Sequence, residues 1–278
     1  MAESPLIVLD LHQILRSRLP KKVSRFIPGF VISWLAKVVR QEELNEILRV
    51  CYPRRGSAFS RKVIEHLDLT VTVEGLDKLP ENTRFMFASN HPLGGLDGIA
   101  LIAVLGENYG DENIRFLVND MLMNVEPLTD VFLPINKFGK QGRQASSAIN
   151  DAMHSDRQIF QFPAGLCSRL GKDGVIADLE WQKSFVTKAI ESERDIVPVY
   201  FDGKNSKKFY RKARWRKNLG IKFNLEQILL PSEVCKARGS KFKIIFGSPI
   251  SWQKLKSSGK TPKELAQEIK EKVYSLAR

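Results

Sequence analysis

The sequence predicts an α/β fold in which a largely parallel sheet is flanked by helices and preceded by an amphipathic helical extension. Three observations lead to this prediction. Short apolar or β-branched runs recur from about residue 69, helical stretches separate several of them, and a basic segment of helical periodicity precedes them all. Alternation of strands and helices is typical of a parallel sheet covered by helices. We divide the chain into an N-terminal helical part, 1–60, and one larger domain, 61–278.

The elements follow from local patterns. Apolar side chains of 27–39 recur at helical spacing and form one continuous face, and a shorter helix is expected to stop near Pro20. The last helix begins after Thr261, with a proline at its first position. The predicted strands are 69–73, 84–88, 114–118, 131–135, 159–162, 196–201 and 243–246, and the predicted helices are 98–105, 143–154, 181–191, 206–217 and 261–276.

Composition restricts the class of protein. A chain of 278 residues with 43% hydrophobic and 27% charged residues is typical of a globular protein, which excludes disorder and disulfide scaffolds as descriptions of the whole. The longest mostly apolar run, 26–36, is shorter than the roughly 20 residues of a spanning helix. The cysteines are scattered and the N-terminus has no signal-peptide pattern, so we expect the cytosol or its membrane face.

The net charge of +13 is concentrated in two segments without acidic residues, 11–40 and 204–222. Such segments attract polyanions, namely nucleic acid, an anionic bilayer or an acidic carrier protein, and a solvated basic face is the alternative. In the helix predicted at 27–39, Phe30 and Trp34 lie in the apolar stripe, and Lys37 lies beside it. This pattern is typical of a helix in a membrane interface, but periodicity does not distinguish it from a helix packed on the protein.

Residues that carry chemistry follow the strand predicted at 84–88. Asn90 and His91 open a glycine-rich turn that leads to Asp97 and the next helix. Ligands of α/β proteins bind at such carboxyl ends of strands. A carboxylate on one imidazole nitrogen leaves the other nitrogen as a base for an attacking hydroxyl or amine. A loop histidine in a simple turn is the alternative reading, and without histidine or cysteine ligand spacing we predict no metal.

The order of these motifs resembles the glycerolipid acyltransferase superfamily, which includes the lysophosphatidic acid acyltransferases. Five residues separate His91 from Asp97 where that superfamily has four, and this form is similar to the bacterial O-acyltransferases of ornithine and glycine lipids, a branch known as hemolysin-like. Lys137 stands where the superfamily has arginine, and Ala164 where it has glutamate. The matching blocks are Asn90 to Asp97, Ile135-Asn136-Lys137, Phe162-Pro163-Ala164-Gly165 and the apolar run 196–199.

The resemblance implies an O-acyltransferase that moves a fatty acyl group from a thioester of acyl-carrier protein or coenzyme A to the hydroxyl of a lyso-lipid, without a cofactor. His91 is then the general base and Asp97 orients it. Backbone amides near Gly165 are candidates for stabilising the oxyanion, and the sequence does not identify which donors do so. Anionic lipids of the cytoplasmic face of the inner membrane are expected partners, and nucleic acid is not. The candidate substrate-binding residues are Asn90, Asn136, Lys137, Arg143, Phe162, Pro163, Ala164, Gly165, Arg169 and Lys183.

The acceptor is predicted from the departures from the superfamily motifs at Lys137 and Ala164. Arginine grips a phosphate with a rigid fork, whereas Lys137 offers a point charge, so we expect a lyso-amino-acid lipid whose carboxylate pairs with Lys137 or Arg169. Lysophosphatidic acid is the alternative acceptor. A non-enzymatic membrane- or nucleic-acid-binding protein is the alternative from another class, although no RNP, KH or zinc-finger pattern supports it. A hydrolase is disfavoured because the chain has no Gly-x-Ser-x-Gly motif.

Overall fold

A computed structural model describes residues 9–11, 28–81, 83–135, 143–171, 173–218 and 225–277. We number the described elements in chain order. Single 3₁₀ turns lie at Leu76–Lys78, Asp111–Asn113, Asp120–Asn124, Glu126–Val131 and Leu225–Leu229. The helices and strands are α1 (Gly29–Val38), α2 (Gln41–Cys51), α3 (Gly56–His66), β1 (Thr70–Glu74), β2 (Phe85–Ser89), α4 (Leu96–Tyr109), β3 (Ile114–Asn119), β4 (Phe132–Ile135), α5 (Arg143–His154), β5 (Gln158–Gln161), β6 (Arg169–Leu170), β7 (Ile176–Ala177), α6 (Ser184–Glu191), β8 (Asp195–Asp202), α7 (Lys207–Asn218), α8 (Leu230–Lys236), β9 (Lys241–Phe246), α9 (Trp252–Ser257) and α10 (Pro262–Ser275).

Seven strands form one sheet in the order β1-β9-β8-β2-β5-β3-β4. Strands β8, β2, β5, β3 and β4 run parallel to one another, whereas β9 is antiparallel to β8 and pairs in parallel with β1. The prediction of a largely parallel sheet flanked by helices is confirmed. The first and last residues of each predicted strand lie within two residues of those of an observed strand.

Helices cover both faces of the sheet. Strand β2 is buried along its whole length, and its successive side chains enter two different core clusters because they point to opposite faces. Phe85 and Phe87 pack with side chains of α3 and α4, while Met86 and Ala88 pack with those of α5, α6 and α10. A central strand buried on both sides is typical of a parallel sheet between helical layers.

The N-terminal helical segment differs from the prediction in part. Helix α1 (Gly29–Val38) agrees with the helix predicted at 27–39. Arg40 then adopts a left-handed conformation with φ of 58°, and α2, which was not predicted, begins at Gln41. The apolar stripe does not behave uniformly, since Val39 at its end is buried while Phe30 and Trp34 are 76% and 60% exposed. Ile32, which lies outside the stripe, is buried. The shorter helix expected before Pro20 lies mostly outside the described residues.

Several elements were not predicted. The hairpin of β6 and β7 and the helices α8 and α9 are short, so their periodic patterns are weak. Helix α6 begins at Ser184 rather than at Trp181, because the indole of Trp181 is buried and donates a hydrogen bond to the Asp178 carboxylate before the helix starts. None of the described helices is both long and apolar enough to cross a membrane.

A buried guanidinium joins the end of α5 to the sheet. Arg194, immediately before β8, is fully buried, and burial together with the nearby Arg84 lowers its pKa to about 10, so it remains charged at neutral pH. The carbonyls at the end of α5 lack intrahelical partners, and Arg194 satisfies several of them. It donates to the carbonyl oxygens of Met153 (2.7 Å), Ala152 (3.1 Å), Ser155 (2.5 Å), Arg157 (2.7 Å) and Phe85 (3.2 Å).

Candidate active site

The turn after β2 folds back and brings the histidine and the aspartate together. His91 Nδ1 lies 2.9 Å from Asp97 Oδ2, and Asp97 is fully buried at the first turn of α4. The backbone N–H groups of Leu93 (2.9 Å) and Gly94 (3.2 Å) also donate to Oδ2, and that of Gly98 donates to Oδ1 at 2.9 Å. These contacts fix the carboxylate and orient it toward one ring nitrogen.

Glycine makes this turn possible at one position in particular. Gly94 has a φ of +78°, which L side chains rarely adopt. A Cβ at this position would also lie 2.8 Å from Leu230 Cδ1 and 3.2 Å from Cys167 Cβ. The chain therefore reverses between His91 and Asp97 only with a residue that has no side chain.

Opposing influences act on the Asp97 carboxylate. Burial would raise its pKa, but the charge and hydrogen bond of His91 and the amides of Leu93 and Gly94 outweigh burial and hold the pKa below its ordinary value. Asp97 is therefore ionised at neutral pH. An ionised partner at Nδ1 keeps a proton on that nitrogen and leaves Nε2 of His91 as the proton acceptor.

The third motif meets the first at the carboxyl edge of the sheet. Phe162 follows β5, the neighbour of β2, and its ring stacks on the imidazole of His91 with centroids 3.9 Å apart and planes inclined by 23°. Phe160 in turn contacts the Phe162 ring edge-on, with centroids 4.9 Å apart. The face of the imidazole is thus packed against an aromatic pair.

A second buried carboxylate, which the sequence did not suggest, holds the main chain of His91. Asp178 Oδ1 accepts hydrogen bonds from the His91 backbone N–H (3.2 Å) and the Ser168 hydroxyl (2.6 Å), and Oδ2 accepts from Trp181 Nε1 (2.9 Å). Burial raises the pKa of Asp178, although these donors act in the opposite direction. Ser168 also donates its backbone N–H to the His91 carbonyl at 2.8 Å.

Comparison with known proteins identifies the family of this chain. The sequence profile of the family described as Acyltransferase matches residues 13–278. The chain belongs to this acyltransferase family. Its resemblance to the glycerolipid acyltransferases and to their glycine-lipid branch is confirmed by two relatives that match nearly the whole chain.

Both relatives of the acyltransferase are described as lyso-glycine lipid O-acyltransferases. That of Bacteroides thetaiotaomicron is 45% identical over 276 residues, which cover 99% of this chain and 100% of the relative. That of Phocaeicola vulgatus is also 45% identical over 276 residues, covering 99% of this chain and 98% of the relative. Among solved structures, the lysophosphatidic acid acyltransferase PlsC of Thermotoga maritima aligns with 89% of this chain and 92% of its own, at 16% identity and a TM-score of 0.46.

The side chain of Asn90, a candidate substrate-binding residue, bonds the backbone of a neighbouring strand of the acyltransferase. Its side chain is buried, and its amide accepts from the Phe201 N–H at 2.7 Å and donates to the Phe201 carbonyl at 2.9 Å. Both ends of the amide are therefore engaged with the backbone of β8. Asn90 therefore fastens the end of β2 to the neighbouring strand β8.

The turn of the third motif is largely closed on itself. Pro163 and Ala164 are buried, and the Pro163 carbonyl accepts from the Gln182 N–H at 3.0 Å. Gly165, with a φ of +63°, donates its N–H to the Phe162 carbonyl at 3.0 Å. That amide is used within the turn, so it is not the oxyanion donor that we expected near Gly165.

Arg169 is also engaged by the protein itself. Its guanidinium donates to the Cys167 carbonyl at 2.7 Å and forms an ion pair with Glu226 at 3.0 Å. Glu226 is buried and pairs on its other oxygen with Arg216 at 2.7 Å. Two guanidiniums thus share the single carboxylate of Glu226. Through this pair and its bond to the Cys167 carbonyl, Arg169 braces the loop after the third motif.

The other candidates divide by position. Lys183 is exposed beside the start of α6, on the segment that contacts the Pro163 turn. Asn136 and Lys137 lie outside the described residues, as does the side chain of Arg143 at the start of α5. Within the described part of the chain, no three histidine, cysteine, aspartate or glutamate side chains gather where they could hold a metal ion.

Proposed function

We propose that this acyltransferase transfers a fatty acyl group from an acyl thioester to the hydroxyl of a lyso-amino-acid lipid of the glycine-lipid type. The observation that carries the proposal is the buried Asp97 carboxylate 2.9 Å from Nδ1 of His91, at the carboxyl edge of the sheet. The 45% identity to lyso-glycine lipid O-acyltransferases along nearly the whole chain supports the choice of acceptor.

His91 acts as the general base in this proposal. Nε2 takes the proton of the acceptor hydroxyl while the hydroxyl oxygen attacks the thioester carbonyl carbon, and Asp97 stabilises the imidazolium that forms. Collapse of the tetrahedral intermediate breaks the C–S bond, and the proton passes from His91 to the leaving thiolate. The acyl group moves directly between substrates, and a positioned base of this kind contributes about 10²–10⁴-fold to the rate.

The acceptor head group needs a cation for its carboxylate. Because Arg169 is paired with the buried Glu226, the remaining candidates are Lys137, with its neighbours Asn136 and Arg143, and the exposed Lys183. Residues 136–142 directly follow β4, whose carboxyl end lies at the same edge of the sheet as that of β2. Ala164 leaves the third motif without a carboxylate, which favours an anionic head group there.

Two exposed surfaces suit the docking of anionic partners. Phe30, Trp34 and Lys37 are exposed at i, i+4 and i+7 and share one side of α1. Aromatic and cationic residues on one helix face are typical of interfacial binding, and each cation near an anionic leaflet contributes about 1 kcal/mol. The basic face of α7 consists of exposed Lys207, Lys208, Arg211, Lys212, Arg214 and Trp215.

We therefore place the enzyme peripherally on the cytoplasmic face of the inner membrane. In this arrangement the α1 surface contacts anionic lipids, from which the lyso-lipid acceptor arrives. The basic face of α7 begins two residues after Asn205, whose side chain donates to the carbonyls of Pro92 and Leu93 in the active-site turn. This location makes the face suitable for acyl-carrier protein, which delivers the acyl thioester.

The test is a competition for one labelled acyl donor between N-(3-hydroxyacyl)glycine and lysophosphatidic acid, with products identified by mass. We expect the acylated glycine lipid to be the main product. A preference for lysophosphatidic acid would contradict this proposal and indicate a role in phospholipid synthesis. Acyl-carrier protein and coenzyme A thioesters are compared in parallel.

A histidine substitution tests the mechanism separately from the acceptor. His91→Ala is expected to lose acyl transfer while keeping its circular dichroism spectrum and melting temperature. His154→Ala is the matched control, because His154 is exposed at the end of α5. Substantial turnover by folded His91→Ala protein contradicts the role of His91 as base.

A further inference from the structure

His91 is held by two carboxylates that act on different parts of the residue. Asp97 bonds the imidazole at Nδ1, whereas Asp178 accepts the backbone N–H at 3.2 Å. Ser168 completes the second attachment, since its N–H donates to the His91 carbonyl and its hydroxyl donates to Asp178 at 2.6 Å. The peptide groups on both sides of the His91 Cα are thereby fixed.

Asp178 is itself anchored from several elements. Trp181 Nε1 donates to its second carboxylate oxygen at 2.9 Å. From α10, the Tyr274 hydroxyl accepts the Asp178 backbone N–H at 2.8 Å, and Lys270 Nζ donates to the Asp178 carbonyl at 2.8 Å. A buried carboxylate in such a network is costly to place unless its oxygens are satisfied, so its position is tightly defined.

We propose that Asp178 is a positioning residue for the acyl transfer, fixing the main chain of His91 so that Nε2 points at the acceptor hydroxyl. The inference rests on the proposed role of His91 as the base. Nδ1 and the ring face are held by Asp97 and Phe162, but these contacts leave the Cα free to shift. Asp178 supplies the remaining constraint, and it does so without touching a substrate.

Loss of this constraint has a specific kinetic signature. A displacement of about 1 Å at the reacting groups costs about 10²-fold in rate. The described partners of the Asp178 carboxylate are all protein groups, so KM is expected to stay within about threefold while kcat falls. The charge of Asp178 also lies near His91 and favours the imidazolium that forms during the reaction.

The experiment compares Asp178→Ala with Asp195→Ala in steady-state kinetics with a glycine-lipid acceptor. Asp195 accepts the backbone N–H of Trp252 at 3.1 Å at the opposite edge of the sheet, so its removal also deletes a carboxylate–amide bond. We expect kcat of Asp178→Ala to fall about 10²-fold with KM unchanged, and Asp195→Ala to match the parent protein. In ¹⁵N-labelled protein, the His91 backbone amide resonance shifts in Asp178→Ala and stays in place in Asp195→Ala.

A second variant covers the case in which Asp178→Ala does not fold. Asp178→Asn keeps an acceptor for the His91 N–H but loses the charge and one acceptor for Trp181, and we expect about a tenfold loss of kcat at constant KM. The positioning role is overturned if the folded variants turn over as fast as Asp195→Ala. It is also overturned if KM rises by as large a factor as kcat falls. If His91→Ala itself stays active, the proposed function fails instead.

Discussion

Replacing Asp97 with asparagine changes one atom at the centre of the proposed active site. In the enzyme, Oδ2 accepts from His91 Nδ1, Leu93 and Gly94, and Oδ1 accepts from Gly98. An asparagine has one acceptor oxygen and one NH₂ donor for these four donors. In either orientation of the amide, at least one backbone N–H therefore faces another donor in a buried position.

The two orientations bracket the size of the effect. With its oxygen toward His91, asparagine preserves the hydrogen bond but loses the charge, a difference of about 1.5–3 kcal/mol, or roughly 10–10²-fold in rate. With its NH₂ toward His91, the imidazole carries its proton on Nε2 and cannot accept one, and the loss reaches about 10⁴-fold, as for the equivalent change in a serine protease. We therefore expect a decrease in kcat/KM of between about 10-fold and 10⁴-fold.

The assay follows product mass from a glycine-lipid acceptor, with Asp111→Asn as the matched control. Asp111 also accepts a backbone amide through both carboxylate oxygens, from Ser57 at 3.1 and 3.0 Å. It precedes β3 and so lies at the opposite edge of the sheet from His91. If Asp97→Asn is as active as Asp111→Asn, Asp97 does not set the tautomer of the base.

Three further outcomes follow from the structure. Trp34→Ser is expected to weaken sedimentation with anionic liposomes more than Val73→Ser does, with added salt weakening it further; insensitivity to both changes contradicts membrane docking through α1. Arg194→Lys leaves at least two of five carbonyls without a donor and should lower the free energy of unfolding in urea by about 2–4 kcal/mol. Because Asp97 has a pKa below its ordinary 3.8, its stabilisation is complete above that pH and is lost as the pH falls, so the stability gap between the parent protein and Asp97→Asn should narrow below about pH 4.

The sequence predicted the sheet because the strands that build it are long, apolar and separated by helices of clear periodicity. It also predicted the contact between His91 and Asp97, because glycines between two reactive residues allow a tight reversal. Each of these predictions was made from patterns within short stretches of the sequence. The structure adds partners that are distant in sequence.

Asp178 illustrates why the remaining residues were missed. It lies 87 residues from His91 in the chain, in a short stretch that matches no motif and no predicted strand. Glu226, which pairs with Arg169 and Arg216, and Arg194, which binds five carbonyls, look like ordinary surface charges in the sequence. A single sequence carries no signal for which charged residues the tertiary fold will bury, so neither the burial of Asp178 nor the ion pair of Arg169 was predicted.

The loop between His91 and Asp97 has a further consequence. On a helix, one inserted residue rotates everything after it by about 100°, so a pair of reactive residues there tolerates no change of spacing. A closed loop obeys a different condition: only its two ends must meet, and Gly94 absorbs the path between them. Loops of different length can therefore bring the same two side chains into contact. The five residues between His91 and Asp97 are one such length, and the contact of Nδ1 with the carboxylate depends on where the loop ends and not on how many residues it contains.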